Sequence, residues 1–235
     1  MDIRAYLPYM DETTMTGPNS LRMLDELWEH YPQQWTQEDR ILNLGCGNTL
    51  SSLALARETE AQVYANDLWF SAEDNRERFM DWGEGDRITV VREDAYDPHY
   101  EEHYFDALVC VNAYHTFAGR KGFIQEKILP YMNDHGLVMI GVPGIKQVYA
   151  GQAGELLEQW LGKDAYLFRS VEEWRELVGD DARIKSVEVW EMDCFDEAWW
   201  DWLGIKSIFS QFDREFYECF IQPYTCLIGI CIRLN

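Results

Sequence analysis

Ile41-Leu42-Asn43-Leu44-Gly45-Cys46-Gly47-Asn48-Thr49 is an apolar run that stops in a glycine turn and leads into the helix-like Leu50-Ser51-Ser52-Leu53-Ala54-Leu55-Ala56-Arg57. A buried parallel strand reads as a short continuous apolar run, and glycines at its end let the backbone turn tightly and come close to a ligand. The stretch is therefore read as strand, turn and helix around a binding site. A second run, Val63-Tyr64-Ala65-Asn66, ends in Asp67, at the spacing of about twenty residues that sets a carboxylate on ribose hydroxyls in α/β nucleotide sites. A pyrophosphate fingerprint requires a third glycine where Leu50 stands, so a nucleoside without phosphates fits this turn better.

Outward from that turn, the hydrophobic pattern predicts strand 41–45, helix 50–58, strand 62–67, helix 71–81, strand 88–92, strand 105–111, helix 121–132 and strand 136–142. Such alternation implies a mostly parallel sheet with helices on both faces and ligands outside the carboxyl ends of the strands. An amphipathic helix with Leu21, Leu24, Leu27 and Trp28 on one face precedes it, with Ser20 as N-cap candidate. Beyond Gly144 the pattern predicts helices at 153–161 and 171–178, a strand at 184–192 and a last strand at 224–232.

The motif Asn43-Leu44-Gly45-Cys46-Gly47-Asn48-Thr49, the acid Asp67, Glu93-Asp94-Ala95 after a third strand and Phe105-Asp106-Ala107-Leu108-Val109-Cys110-Val111-Asn112 as a fourth resemble the class I S-adenosylmethionine-dependent methyltransferases. The resemblance spans roughly Arg40 to Pro143 and departs from the family where an acid usually replaces Asn43 and a glycine replaces Thr49. It implies a Rossmann-like fold with a seven-stranded sheet, antiparallel at the last strand, and S-adenosylmethionine as cofactor. It also implies cofactor contacts from Gly45, Cys46, Gly47, Asn48, Asp67, Leu68, Asp94, Ala95 and Asn112. Asp67 would hold the ribose and Asp94 the adenine amino group; as bare residues, either could instead cap a helix.

Asn112, Ala113, Tyr114 and His115 follow the fourth strand, where the family places residues between cofactor and acceptor. His115 is the expected general base, since histidine titrates near neutrality, with Tyr114 beside it; an exposed, idle histidine is the plainer alternative. The N-terminal segment supplies Tyr6, Tyr9 and the Gly17-Pro18 turn as lid candidates, or else a simply packed terminus. About thirty residues join the last two strands, too aromatic for disorder and too long for a hairpin. Trp199, Trp200 and Trp202 in this join are expected to wall the substrate; a packed helical cap or a dimer surface are the alternatives.

Composition sets the remaining bounds. The 235 residues allow one domain, with a lid and helix at 1–36, a cofactor core at 40–143 and an aromatic insertion at 193–221. With 42 acidic residues against 20 Lys and Arg, the net charge of −22 repels nucleic acid and acidic lipid. The start lacks the layout of a signal peptide and no apolar stretch reaches bilayer length, so a cytoplasmic protein is expected. Six scattered cysteines without a Cys-x-x-Cys pair suggest neither zinc nor disulfides. The expectation is thus a methyltransferase acting on O, N or S of a small molecule, the alternative being a non-catalytic cofactor-binding protein with a protein partner.

Overall fold

The computed structural model describes residues 1–235. Seven strands, β1 (Arg40–Leu44), β2 (Gln62–Asn66), β3 (Ile88–Val91), β4 (Phe105–Val111), β5 (Met132–Ile145), β6 (Ile184–Glu191) and β7 (Thr225–Leu234), form one sheet in the order β3-β2-β1-β4-β5-β7-β6. The first four pairings are parallel, and β7 runs antiparallel between β5 and β6. The order reverses between β1 and β4, and a doubly wound sheet opens its ligand crevice beyond the carboxyl ends of strands at such a point.

The strands alternate between two cores because side chains of a strand point to opposite faces. Ala107, Val109, Val111, Leu137 and Met139 face a core shared with helices α1 (Ser20–His30), α2 (Leu50–Glu58) and α3 (Ala72–Asp81). Leu108, Cys110, Val138, Ile140 and Val142 face the other, closed by Phe123 and by Trp174 of α6 (Val171–Val178). Each buried Leu, Ile or Val contributes about 1.5–3 kcal/mol relative to exposure, and such apolar runs hold β1 and β4 rigidly beneath the crevice.

Several boundaries differ from the sequence expectation. The N-cap of α1 is Asn19, whose side chain accepts from Leu21 N at 2.9 Å, so Ser20 is the first helical residue. The expected helix 121–132 is reduced to a π-helical turn (Ile124–Ile128) and a 3-10 turn (Leu129–Tyr131), because Pro130 has no N–H to continue a helix. Helix 153–161 is split into α4 (Ala153–Leu156) and α5 (Glu158–Leu161) at Leu157, which leaves helical geometry (ψ 0°) and is fully buried.

The aromatic join is helical, with α7 (Phe195–Gly204) and α8 (Ile208–Phe216) running into a π-helical turn before β7. It is anchored on α1: Asn19 N donates to Ala198 O at 2.9 Å, and Arg22 pairs with Asp201 at 2.8 Å. No helix is long and apolar enough to cross a membrane.

Candidate functional site

The turn after β1 is built from backbone hydrogen bonds that the two neighbouring strand ends supply. Gly45 N and Cys46 N both donate to Asn66 O, at 2.8 and 3.0 Å, and Gly47 N donates to Asp67 Oδ2 at 2.8 Å. Gly45 has φ +69°, and a Cβ there would lie 2.4 Å from the Cβ of Ala113, so no side chain fits where the turn passes under the loop after β4. Asp67 also accepts from Trp69 N (2.8 Å) and Phe70 N (3.1 Å) through its other oxygen. Its carboxylate therefore binds the turn together, and three backbone donors already draw on its lone pairs.

Asn66 and Asn43 are buried amides that lock the surrounding strands. Asn66 exchanges hydrogen bonds with the Glu93 backbone (2.7 and 3.1 Å), which fixes the end of β3. The Asn43 amide lies 2.7 and 2.8 Å from the Ser51 and Ser52 hydroxyls, and with its oxygen toward them its nitrogen donates to Val109 O at 3.3 Å. Asn43 is fully buried and lines neither cavity over the turn, so it bolts β1 to α2 and β4.

Two adjoining cavities open over this frame and share Gly45, Asp67, Trp69, Ala113 and Thr116. One, of about 220 Å³, is the more apolar, walled by Leu44, Leu68, Ala95 and Phe117, with Asp94 at its edge. Asp94 is exposed, and its Oδ1 accepts from Tyr96 N at 2.9 Å, leaving Oδ2 unused. The other, of about 160 Å³, lies over Cys46, Gly47, Asn48 and Ser51 and is roofed by the N-terminal strap Thr14–Pro18 and Ser20. All nine residues singled out as cofactor contacts line one cavity or the other.

Asn112 links this floor to its roof. It sits just past β4 with φ +60°, a left-handed conformation that Asn tolerates better than most residues, and its amide donates to Pro18 O at 2.6 Å. Its Oδ1 is shut off from solvent with no protein partner, although Asn112 lines the polar cavity.

The remaining expectations fall elsewhere. Tyr6 is buried and donates to Glu58 Oε1 at 2.7 Å, while Tyr9 packs edge-on to Trp82 under the Arg57 guanidinium. Both anchor the strap on α2 and α3 without reaching the cleft, because their rings find apolar area there. Tyr114 is buried against Phe117, Phe123 and Trp174.

His115 lines neither cavity; its ring packs edge-on to Phe168, 6.3 Å between centroids, and its Nδ1 is buried without a partner. Burial, with Arg169 nearby, pushes its pKa down to about 4, which leaves the ring neutral and a poor base near neutrality.

The tryptophans form no wall of the cleft. Trp199 and Trp202 are buried inside the cap, where the Trp202 and Trp160 indoles each donate to Asp213 at 2.8 Å, and Trp200 is 59% exposed. The rings pack on one another and Asp213 accepts from both indole N–H groups, so the cap builds its own core. Ile208, Phe209 and Phe212 of α8 lie on its exposed surface.

Sequence reasoning missed Thr14, Thr16, Trp69, Phe70, Thr116 and Phe117 as lining residues. Trp69 is 77% exposed two residues past the strand-end acid, and a large exposed aromatic at that place was the available signal.

A family model described as a methyltransferase domain matches residues 42–128. Among solved structures, the fold is similar to geranyl diphosphate C-methyltransferase from Streptomyces coelicolor A3(2), solved with Mg²⁺, geranyl diphosphate and S-adenosyl-L-homocysteine (TM-score 0.70, 13% identity, 92% of this chain and 78% of that one). It is similar as well to Haemonchus contortus phosphoethanolamine N-methyltransferase 2 in complex with S-adenosyl-L-methionine (TM-score 0.73, 17% identity, 98% of this chain and 56% of that one). No curated protein sequence matches it significantly. The methyltransferase-domain match runs through the strands that build the cleft, and the whole sheet has the seven-stranded, Rossmann-like methyltransferase fold of these solved structures.

Proposed function

We propose that this protein moves the methyl group of S-adenosylmethionine to a small-molecule acceptor, with the cofactor lying across both cavities. What carries the reading is the pair of adjoining cavities over the Gly45–Gly47 turn, one apolar and one polar, matching a cofactor with an adenine at one end and an amino acid at the other. Leu68, Ala95 and Phe117 would flank the adenine, with Asp94 Oδ2 free to accept its amino group. Asp67 would reach the ribose with whatever lone-pair capacity the turn leaves it. Cys46, Gly47, Asn48 and the unpartnered Oδ1 of Asn112 would meet the amino-acid end, in place of the family acid that Asn43 replaces.

The cofactor supplies a methyl already activated by a positive sulfur, so the chain has chiefly to align donor and acceptor and exclude water. The strap Thr14–Ser20 does the excluding, held down by Asn112 on Pro18. His115 and the three tryptophans take no part in this scheme.

One observation favours a second reading, a cofactor-binding protein without turnover. Trp160, Phe168 and Trp199 pack on one another beside His115 and leave no open aromatic pocket there. Calorimetry with S-adenosylhomocysteine tests the binding common to both, and transfer of label from methyl-tritiated cofactor to a small-molecule fraction tests turnover. Saturable binding with transfer supports the enzyme; binding without transfer supports the second reading.

A further inference from the structure

The two cavities over the β1 turn are not covered alike. Thr14, Met15, Thr16, Gly17, Pro18 and Ser20 of the strap all line the polar cavity, and none reaches the apolar one. The apolar cavity is rimmed instead by three exposed side chains, Leu68, Trp69 and Tyr96. On the reading above, the amino-acid end of the cofactor lies under the strap and the nucleoside end meets solvent.

Tyr96 is pinned, because its hydroxyl donates to Phe117 O and its ring lies edge-on to Phe123. Trp69 is held at its backbone. Its N–H donates to Asp67 Oδ1 at 2.8 Å, the Leu68 carbonyl before it accepts from Arg92 Nε at 3.2 Å, and the Phe70 N–H after it donates to the same Asp67 oxygen at 3.1 Å. Phe70 turns down onto the glycine turn, its Cε2 3.9 Å from where a Cβ on Gly47 would be. Ser71 then caps α3, accepting from Asp74 N at 3.2 Å. Between these anchored neighbours the Trp69 indole projects outward, 77% exposed. The indoles of Trp160, Trp190 and Trp202, by contrast, each donate to a carboxylate.

A single exposed apolar side chain is ordinary on a protein surface. What sets Trp69 apart is its place: with Gly45, Asp67, Ala113 and Thr116 it lines both cavities, and so stands at their junction. With the backbone fixed, only its two side-chain torsions are free. The ring can therefore swing as fast as any exposed rotamer and become ordered at small entropic cost. An indole also offers a broad, flat apolar face on which a nucleoside can stack.

Building on the methyltransferase reading above, we infer that Trp69 is the movable cover of the nucleoside half of the site. It folds down over the junction of the two cavities once the cofactor lies there, completes the roof that the strap begins, and shuts water away from the ribose and the sulfur. The swing breaks no hydrogen bond of the fold. It removes the ring's own apolar surface from water, and that gain arises only with a ligand beneath the ring to pack against.

Calorimetry and surface plasmon resonance with S-adenosylhomocysteine on wild type, Trp69→Ala and Trp69→Phe test the inference. Trp69→Ala is expected to weaken binding roughly ten- to hundredfold, the range for losing one stacked aromatic. The loss should lie in a faster dissociation rate, since a cover that shuts after binding slows escape. Trp69→Phe keeps a flat ring and should restore most of the affinity. Binding should also move the wild-type tryptophan emission to shorter wavelength, and that change should vanish in Trp69→Phe, which removes one of the ten tryptophans.

Without ligand, both variants should melt at the wild-type temperature; a fall in Trp69→Ala would make the ring a support of the fold and overturn the cover. Wild-type affinity in Trp69→Ala, an emission change that persists in Trp69→Phe, or a loss carried wholly by the association rate would overturn it too, with the methyltransferase reading left intact. If the wild-type protein takes up no S-adenosylhomocysteine, that reading fails, and the cover with it.

Discussion

Replacing Asp67 by Ala removes one carboxylate that accepts three backbone hydrogen bonds, from Gly47 N, Trp69 N and Phe70 N at 2.8, 2.8 and 3.1 Å. Hydrogen bonds to a charged group are worth about 1.5–3 kcal/mol each, but these donors lie in a partly exposed loop where water replaces most of that. The net stability cost is therefore about 2 kcal/mol, or about 4–8 °C in Tm for a chain of this size. Affinity falls as well, because the Gly45–Gly47 turn must be held open before a ligand can lie along it. Loss of one charge-assisted contact corresponds to about 1.5–3 kcal/mol, and so to a ten- to hundredfold weaker Kd, roughly.

Asp67→Asn separates the two effects. One amide oxygen still accepts from Trp69 and Phe70, while the amide nitrogen faces the Gly47 N–H, so Tm drops less than affinity does. Differential scanning calorimetry and titration with S-adenosylhomocysteine on wild type and both variants give the numbers. A folded Asp67→Ala protein that binds S-adenosylhomocysteine as tightly as wild type would refute the role given to this turn.

His115 carries a pH dependence whose sign follows from burial. Its folded pKa is lowered from 6.5 to about 4, so between those values the unfolded chain takes up a proton that the folded chain refuses. Stability is intact above pH 6.5 and is lost as pH falls toward 4, by about 3 kcal/mol at most. Urea unfolding of wild type and His115→Phe between pH 7 and 4 should show a shallower decline in the variant, and parallel curves would count against a buried neutral imidazole. Asp213→Ala strands the indole N–H groups of Trp160 and Trp202 and should lower stability by about 2–4 kcal/mol. Calorimetry should find S-adenosylhomocysteine affinity unchanged, since the cap does not line the cleft; a parallel loss of affinity would contradict that separation. His135 is exposed with φ +61°, so His135→Gly should relieve left-handed strain and raise Tm by about 1–4 °C, and an unchanged or lower melting temperature would reject the strain.

The turn and strand ends that line the two cavities were legible because they are local in sequence. Gly45, Gly47 and Asp67 lie at consecutive strand ends, and a parallel sheet brings such ends together whatever the loops do. The placement of the residues after β4 and in the cap depends on which way their side chains turn, and periodicity carries no such information. His115 and Thr116 are neighbours in one short 3-10 turn, yet Thr116 lines the cleft while His115 packs onto Phe168. The tryptophans failed for a related reason. Aromatic composition announces burial, and Asp213, too ordinary in sequence to notice, decides that Trp202 is buried within the cap. Asn43 and Thr49 mark the departures from the family pattern, but that Asn43 is a bolt between strands is visible only once Ser51, Ser52 and Val109 surround it.

The position of β7 has a consequence for how the chain reaches this state. Strands β1 to β3 pair with their neighbours in sequence, Arg40 with Gln62 and Val63 with Ile88, and β4 joins them over a longer connection that matches Ile41 with Ala107. In contrast, β7 must enter between β5 and β6, matching Leu137 with Arg233 and Ile145 with Thr225, after the chain has travelled through the whole cap. Until it arrives, the flanks of β5 and β6 are open strand edges, the kind of surface on which newly made chains pair with one another. Gly229 sharpens the requirement, because Trp190 lies over it with ring atoms 2.4 Å from where a Cβ would be. A population folded around the cofactor but unfinished beyond β5 is thus the species from which aggregation would begin, and S-adenosylhomocysteine added during refolding would stabilise it without completing it.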